Sequence, residues 1–297
     1  MSSTPTQTGS YAIGILLVFA ATVCWSLAGL FVRHLPGLDG WQINGGRGLS
    51  LAVSMALWLM ILHGRRLPQV VTALPPFALI AFSVQFTLGS TLYALALTLA
   101  PTANVSCIGA TSPVMTAVLA ATFLGERANR WTLLSAVLAL SGVAYIVQDG
   151  LEAGSLLGNL AAFGAVACWS VQATLLRGYR HYDMMPALVV AGLLTFAVAV
   201  IASGGFSVPT SAILPLAAMG VIQLAVPIVL FARGARTVPA VTASLVLLLD
   251  AVLNPLWTFI GVGEQPPMAS YVGGAIIIVA VAITILTGRR DAQTATS

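Results

Sequence analysis

The sequence predicts an all-α integral membrane protein of ten transmembrane helices arranged as two inverted five-helix repeats. Three observations predict it. The residues are 59% hydrophobic and 7% charged, with a mean hydropathy of +0.99, a composition foreign to water-soluble domains. Apolar runs of membrane-crossing length recur ten times between short polar joints. Finally, CWSLAGLFVR at 24–33 returns as CWSVQATLLR at 168–177, 144 positions later, and an internal repeat of this kind decides the architecture.

A helix rising about 1.5 Å per residue needs roughly 20 apolar residues to cross the hydrocarbon core. Such runs fall near 11–32, 41–62, 76–97, 102–124, 131–148, 156–176, 185–202, 212–232, 240–260 and 268–287. The head MSSTPTQTGS lacks a basic region, so the first run is expected to be a retained span and not a cleaved leader. The joints, among them HGRRLPQ, GERANR, QDGLEAG and RGYRHYD, are expected as loops. No joint is long enough to separate domains, so residues 1–297 are expected to form a single membrane domain.

Every one of the 12 basic residues is Arg, and they sit in turns, which gives no basic face for a nucleic acid. If the N-terminus is inside, Arg65, Arg66, Arg127, Arg130, Arg177, Arg180, Arg233, Arg236, Arg289 and Arg290 all fall on the inner side, and only Arg33 on the outer. Short cytoplasmic loops keep positive charge, so both termini are expected in the cytoplasm. Cys24, Cys107 and Cys168 lie in apolar runs with no C-x-x-C pair and no His at ligand spacing, so neither a disulfide framework nor a metal site is expected. Cys24 and Cys168 read as small packing residues.

The repeat has a second anchor. Pro101 leads to Gly125-Glu126 as Pro239 leads to Gly263-Glu264, 138 positions apart. Repeat one therefore covers about 11–148 and repeat two about 156–287, and because five spans is an odd number the second copy enters the membrane from the other side. Halves inverted in this way are a plan of secondary transporters, with the substrate site between them near mid-depth.

Arg47 and Asp250 are the ionisable residues within spans, and groups so costly to bury are candidates for ion pairing, coupling or substrate contact. Asp250 lies ~15 Å into span nine and Arg47 ~10 Å below the outer face, which allows a salt bridge between them. Their counterparts in the other half are about Ser112 and Ala191, so neither charge is duplicated. Pro113, Pro227 and Pro255 are expected to kink their helices and free the carbonyls of Gly109, Gln223 and Ala251, for packing neighbours or for a substrate ammonium group.

Polar residues fall in phase: Gln85, Gly89 and Tyr93 in span three, Asp250, Asn254 and Trp257 in span nine, Asn104, Thr111 and Met115 in span four, Trp169, Gln172 and Leu176 in span six. Singly these read as interhelical hydrogen bonds; together, with Trp25 and Gln223, they read as the lining of a cavity. Trp25 and Trp169 lie equally far along oppositely running spans, either narrowing the pathway alternately or packing between helices of their own half. Trp58, Trp131 and Tyr271 near span ends suit the interfacial belt. His34, His63 and His181 fall in loops and Asp250 has no carboxylate partner within a span, so no catalytic set is present and an intramembrane enzyme is disfavoured.

These residues carry a resemblance. CWSLAGLFVR, Arg47, and the run YALALTLAPTANVSCIGATSPVMTAVLAATFLGERANRWTLLSAVLALSGV from Tyr93 to Val143, with Pro113, Glu126 and Gly142, are echoed weakly by Pro239, Pro255, Glu264 and Gly273. Over essentially its whole length the chain resembles the drug/metabolite transporter superfamily, in particular the EamA-type bacterial exporters and most of all those for amino acids, aromatic ones included. The resemblance implies a cofactor-free secondary transporter in the bacterial inner membrane, exporting amino acids by alternating access through a central cavity. Another small metabolite or a drug is the alternative cargo, and a channel-like protein the second alternative. Its partners would be that small molecule and membrane lipid, with monomer and dimer both open. The small four-helix multidrug relatives use a Glu within their first helix; span one here has no carboxylate, which argues against that form of proton-for-drug exchange.

Overall fold

The computed structural model describes residues 7–35, 37–100, 105, 108–125, 130–147, 156–263 and 268–294, and every regular element among them is helical. In order these are α1 (Gln7–Ser26), α2 (Ala28–Arg33), α3 (Gly40–His63), α4 (Leu67–Ala73), α5 (Pro76–Leu99), α6 (Ser112–Leu124) and α7 (Arg130–Val147). They are followed by α8 (Leu156–Gly178), α9 (Met185–Ala202), α10 (Thr210–Ala218), α11 (Val226–Gly234), α12 (Ala240–Leu247), α13 (Asp250–Val262) and α14 (Met268–Thr294). Of the ten predicted runs, seven coincide with stretches long and apolar enough to cross a membrane; the others coincide with the shorter apolar helices Ser112–Leu124, Arg130–Tyr145 and Tyr271–Thr287.

Local chemistry sets the ends. Asp39 caps α3 in a reciprocal box: its Oδ1 accepts from the Gln42 N–H at 2.8 Å while Gln42 Oε1 accepts from the Asp39 N–H at 3.0 Å. Gly64 at φ 49° breaks the chain out of α3. The joint HGRRLPQ is not a loop, as the sequence suggested, but a 3₁₀ turn over Gly64–Arg66 followed by α4, with Pro68 in the first turn, where its missing N–H costs nothing.

Packing follows the membrane rule that small residues let backbones approach. The most extensive pairings are α3 with α9, α5 with α8, α7 with α14, α1 with α11, and α5 with α9. At the α3–α9 crossing a Cβ on Gly192 would lie 2.5 Å from the Gly48 carbonyl oxygen, and one on Gly48 would lie 3.2 Å from that of Gly192. The α1–α11 and α5–α8 contacts repeat one another: a Cβ on Gly14 would strike Thr237 and Val238, and one on Gly158 would strike Leu99 and Ala100. Gly14 and Gly158 are 144 apart, Leu99 and Thr237 138 apart, as are Ala100 and Val238.

Several spans are broken where the sequence suggested continuous helix. The first divides at Leu27, between α1 and α2. Before α6, the Thr111 N–H donates to Ile108 O, and Val114 and Met115 both donate to Thr111 O; before α13, Leu249 donates to Val246 O, and Val252 and Leu253 both donate to Leu249 O. The two turns are the same hydrogen-bond pattern 138 residues apart. Pro113 consequently stands in the first turn of α6, not inside a continuous helix, so it displaces no helical bond. Pro227, by contrast, lies within the unbroken helical span Thr210–Gly234, directly after a π segment, Met219–Ala225, whose wider turn accommodates it. Pro255 lies within α13, and its side chain is outside the described residues.

Candidate functional site

Arg47 organises a polar cluster where α3, α5 and the π segment meet. Its Nε and Nη2 donate to Asn44 Oδ1 at 3.2 and 3.0 Å, Nη2 also donates to Ser90 Oγ at 3.2 Å, and Nη1 donates to Gln223 Oε1 at 3.4 Å. Ser90 Oγ in turn donates to Asn44 Oδ1 at 2.5 Å. Helical spacing puts Asn44 one turn before Arg47 on one face. The π segment presents Gln223 from the second half of the chain, and Gly220 admits the α3 backbone beside it, since a Cβ there would lie 2.7 Å from the Arg47 carbonyl oxygen.

Asp250 is the first residue of α13, immediately after the turn at Leu248–Leu249, whose carbonyls accept from the N–H groups of Ala251, Val252 and Leu253. The depths of Asp250 and Arg47 allow a bridge, but among the described residues no ion pair joins the two, and the guanidinium donates to three neutral side chains. Tyr93 lies within electrostatic reach of both charges. Arg47, Tyr93 and Asp250 are each half-buried.

Two aromatic contacts flank this region. Tyr93 and Trp169 have ring centroids 5.2 Å apart at 56°, and Trp25 and Phe231 5.7 Å apart at 61°. Each Cys-Trp-Ser tryptophan thus packs on a ring from the other half of the chain, not between helices of its own half. The neighbouring serine is buried in both copies: Ser26 Oγ accepts from Trp257 Nε1 at 2.8 Å, and Ser170 Oγ donates to the Ser112 carbonyl at 3.4 Å.

The other predicted lining residues are dispersed. Gln85 is buried, and neither of its amide atoms has a partner among the described residues. Gln172 is buried within α8, Asn254 is half-buried one turn after Asp250, and Thr111 Oγ1 donates to Ile108 O at 2.6 Å, supporting the break. Asn104, with Pro101, Cys107, Glu126 and Glu264, lies outside the described residues. Trp58, Trp131 and Tyr271 are exposed on the surface. Sequence reasoning missed Asn44, Ser90 and Phe231. Asn44 was signalled by its position three residues before Arg47, and Phe231 by its position 138 after Tyr93.

The model of the EamA-like transporter family matches twice, over residues 12–148 and 156–286. A protein of Streptantibioticus cattleyicolor named "Probable terminal-alkyne amino-acid exporter" is 30% identical over 213 residues, covering 65% of this chain and 68% of its own. A solved crystal structure of a protein is similar with a TM-score of 0.80 at 19% identity, over 94% of this chain and 98% of its own, a likeness of fold alone. The chain belongs to the EamA-like transporter family, and is a transporter and not an enzyme.

Proposed function

We propose that the protein exports amino acids, aromatic ones among them, across the bacterial inner membrane by alternating access. The observation that carries this reading is the pair of opposite charges, Arg47 in the first half of the chain and Asp250 in the second, both half-buried and joined by no ion pair among the described residues. A zwitterion is the complementary cargo: its carboxylate suits the Arg47 fork, its ammonium suits Asp250, and an aromatic side chain suits Tyr93 and Trp169. The name of the relative from Streptantibioticus cattleyicolor, an amino-acid exporter, supports the same cargo class.

Ten spans in two inverted halves, about 11–148 and about 156–287, form the moving frame. Support comes from the break turns, glycine contacts and aromatic pairs that recur at the 144 and 138 offsets. Both termini lie in the cytoplasm, on the arginine count. Trp25 and Trp169 act as alternate constrictions on the two sides of the site. The Tyr93–Trp169 pair also suits an uncharged planar molecule, so export of another metabolite or drug is the second reading.

Uptake of a labelled amino acid panel into proteoliposomes tests the reading, with saturation and counterflow expected. Flux that rises linearly without counterflow would indicate a channel; competition by uncharged aromatics but by no amino acid would favour the second cargo class. An active C-terminal alkaline phosphatase fusion would overturn the topology.

A further inference from the structure

At the arginine-rich end of the molecule, away from the Arg47 cluster, α3, α8, α9 and α11 enclose a cavity of about 180 Å³. Its polar wall carries Arg180, Arg233 and Arg236, and among the described residues no carboxylate pairs with any of the three. The single acid on the wall, Asp183, is engaged elsewhere: Oδ2 lies 3.3 Å from His63 Nε2 and Oδ1 accepts from the Met185 N–H at 3.0 Å. Arg177 fixes the rim by donating from Nη1 to the carbonyls of Ala235 at 3.1 Å and Arg236 at 2.6 Å, which anchors the turn that follows α11 and carries Arg236.

The opposite wall is apolar and opens outward. Trp58 and Leu62 of α3 line the cavity and are 42% and 54% exposed. Trp58 lies five residues, or ~7 Å of rise, before the end of α3, at the depth where Trp ordinarily meets the headgroup boundary. Arg180 Nε donates to the neutral acceptor His181 Nε2 at 3.4 Å, and a cavity whose guanidinium groups pair with no carboxylate among the described residues, beside an exposed aromatic side chain, matches a molecule with an anionic head and an apolar body.

We propose that this cavity binds the phosphate of an anionic phospholipid, whose acyl chains lie against Trp58 and Leu62. The inference rests on the membrane reading of the chain and not on its cargo. Native mass spectrometry of the full-length protein, released from nanodiscs holding equal phosphatidylglycerol and phosphatidylcholine, tests it without any transport readout, so failure here leaves the export reading untouched. The wild type is expected to retain phosphatidylglycerol at least ~10-fold over phosphatidylcholine, as charge-assisted bonds to phosphate imply. Arg233→Gln with Arg236→Gln is expected to abolish that preference. So is Ala232→Trp, which fills the cavity and leaves every charge in place. Arg65→Gln with Arg66→Gln, at the same end but off the cavity, is expected to preserve it. Equal retention of the two lipids, or equal loss in the Arg65/Arg66 control, would overturn the site. Displacement of the lipid by inorganic phosphate would reassign it to a soluble anion.

Discussion

Trp25 on Phe231 and Trp169 on Tyr93 occupy equivalent points of the chain, the tryptophans 144 apart and their partners 138 apart. The geometry is nearly the same, but the surroundings are not. Phe231 is 2% exposed and wholly apolar, whereas Tyr93 carries a hydroxyl within reach of Arg47 and Asp250. The same asymmetry holds one layer away: Gln223 accepts from Arg47, while Gln85, 138 residues earlier, has no partner among the described residues. Arg47 itself corresponds to Ala191, whose carbonyl only accepts from the hydroxyls of Thr87 and Thr195. Packing contacts recur in both copies, whereas the charges of Arg47 and Asp250 exist once.

The comparison is broken most severely at Arg47. Arg47→Ala leaves Gln223 Oε1 without its donor and Asn44 Oδ1 with Ser90 Oγ alone, at about 1–3 kcal/mol for a buried group left unsatisfied. Loss of measurable transport and a clear drop in thermal stability in detergent are expected. Arg47→Lys should rescue folding better than flux, because a point-charged amine cannot reach three acceptors as a planar fork does. Next comes Asp250→Asn, expected to insert and melt like wild type while flux falls ~10-fold or loses its pH dependence, the pattern of a group acting on cargo and not on the fold. Wild-type flux across neutral pH would return Asp250 to a structural role.

Exchanging the two aromatics sharpens the contrast. Phe231→Tyr buries a new hydroxyl and should cost about 1–3 kcal/mol of stability unless it finds an acceptor. Tyr93→Phe should leave stability nearly unchanged and reduce flux a few-fold, seen as a change in counterflow rate. The smallest effects belong to Trp25→Ala and Trp169→Ala, expected to bias cysteine labelling toward opposite faces. Shifts in the same direction, or none, would end the paired-constriction idea.

The long apolar helices and the duplication were legible because hydropathy and the two anchors need no tertiary knowledge. The breaks were not. Neither Ala110–Thr111 nor Leu248–Leu249 contains Gly or Pro, and their turns rest on hydrogen bonds that neighbouring helices must permit. Proline was therefore given a role that belongs to the residues before it. Arg47 was legible as a buried charge, but its partners were not: depth along one axis suggested Asp250, whereas lateral packing delivered Gln223 and Ser90.

The contact between Gly48 and Gly192 has a mechanical consequence. The two glycines stand 144 apart and meet each other, so under an operation that exchanges the halves this point maps onto itself. A point of that kind lies on the axis of exchange, where a relative rotation produces the least displacement. Under the alternating access proposed above, the α3–α9 crossing would be the fulcrum of the frame, holding backbone against backbone while the lever arms at Trp25 and Trp169 sweep the larger arcs. A side chain added at Gly192 would act as a wedge under that fulcrum, tilting the frame and disturbing both access states at once.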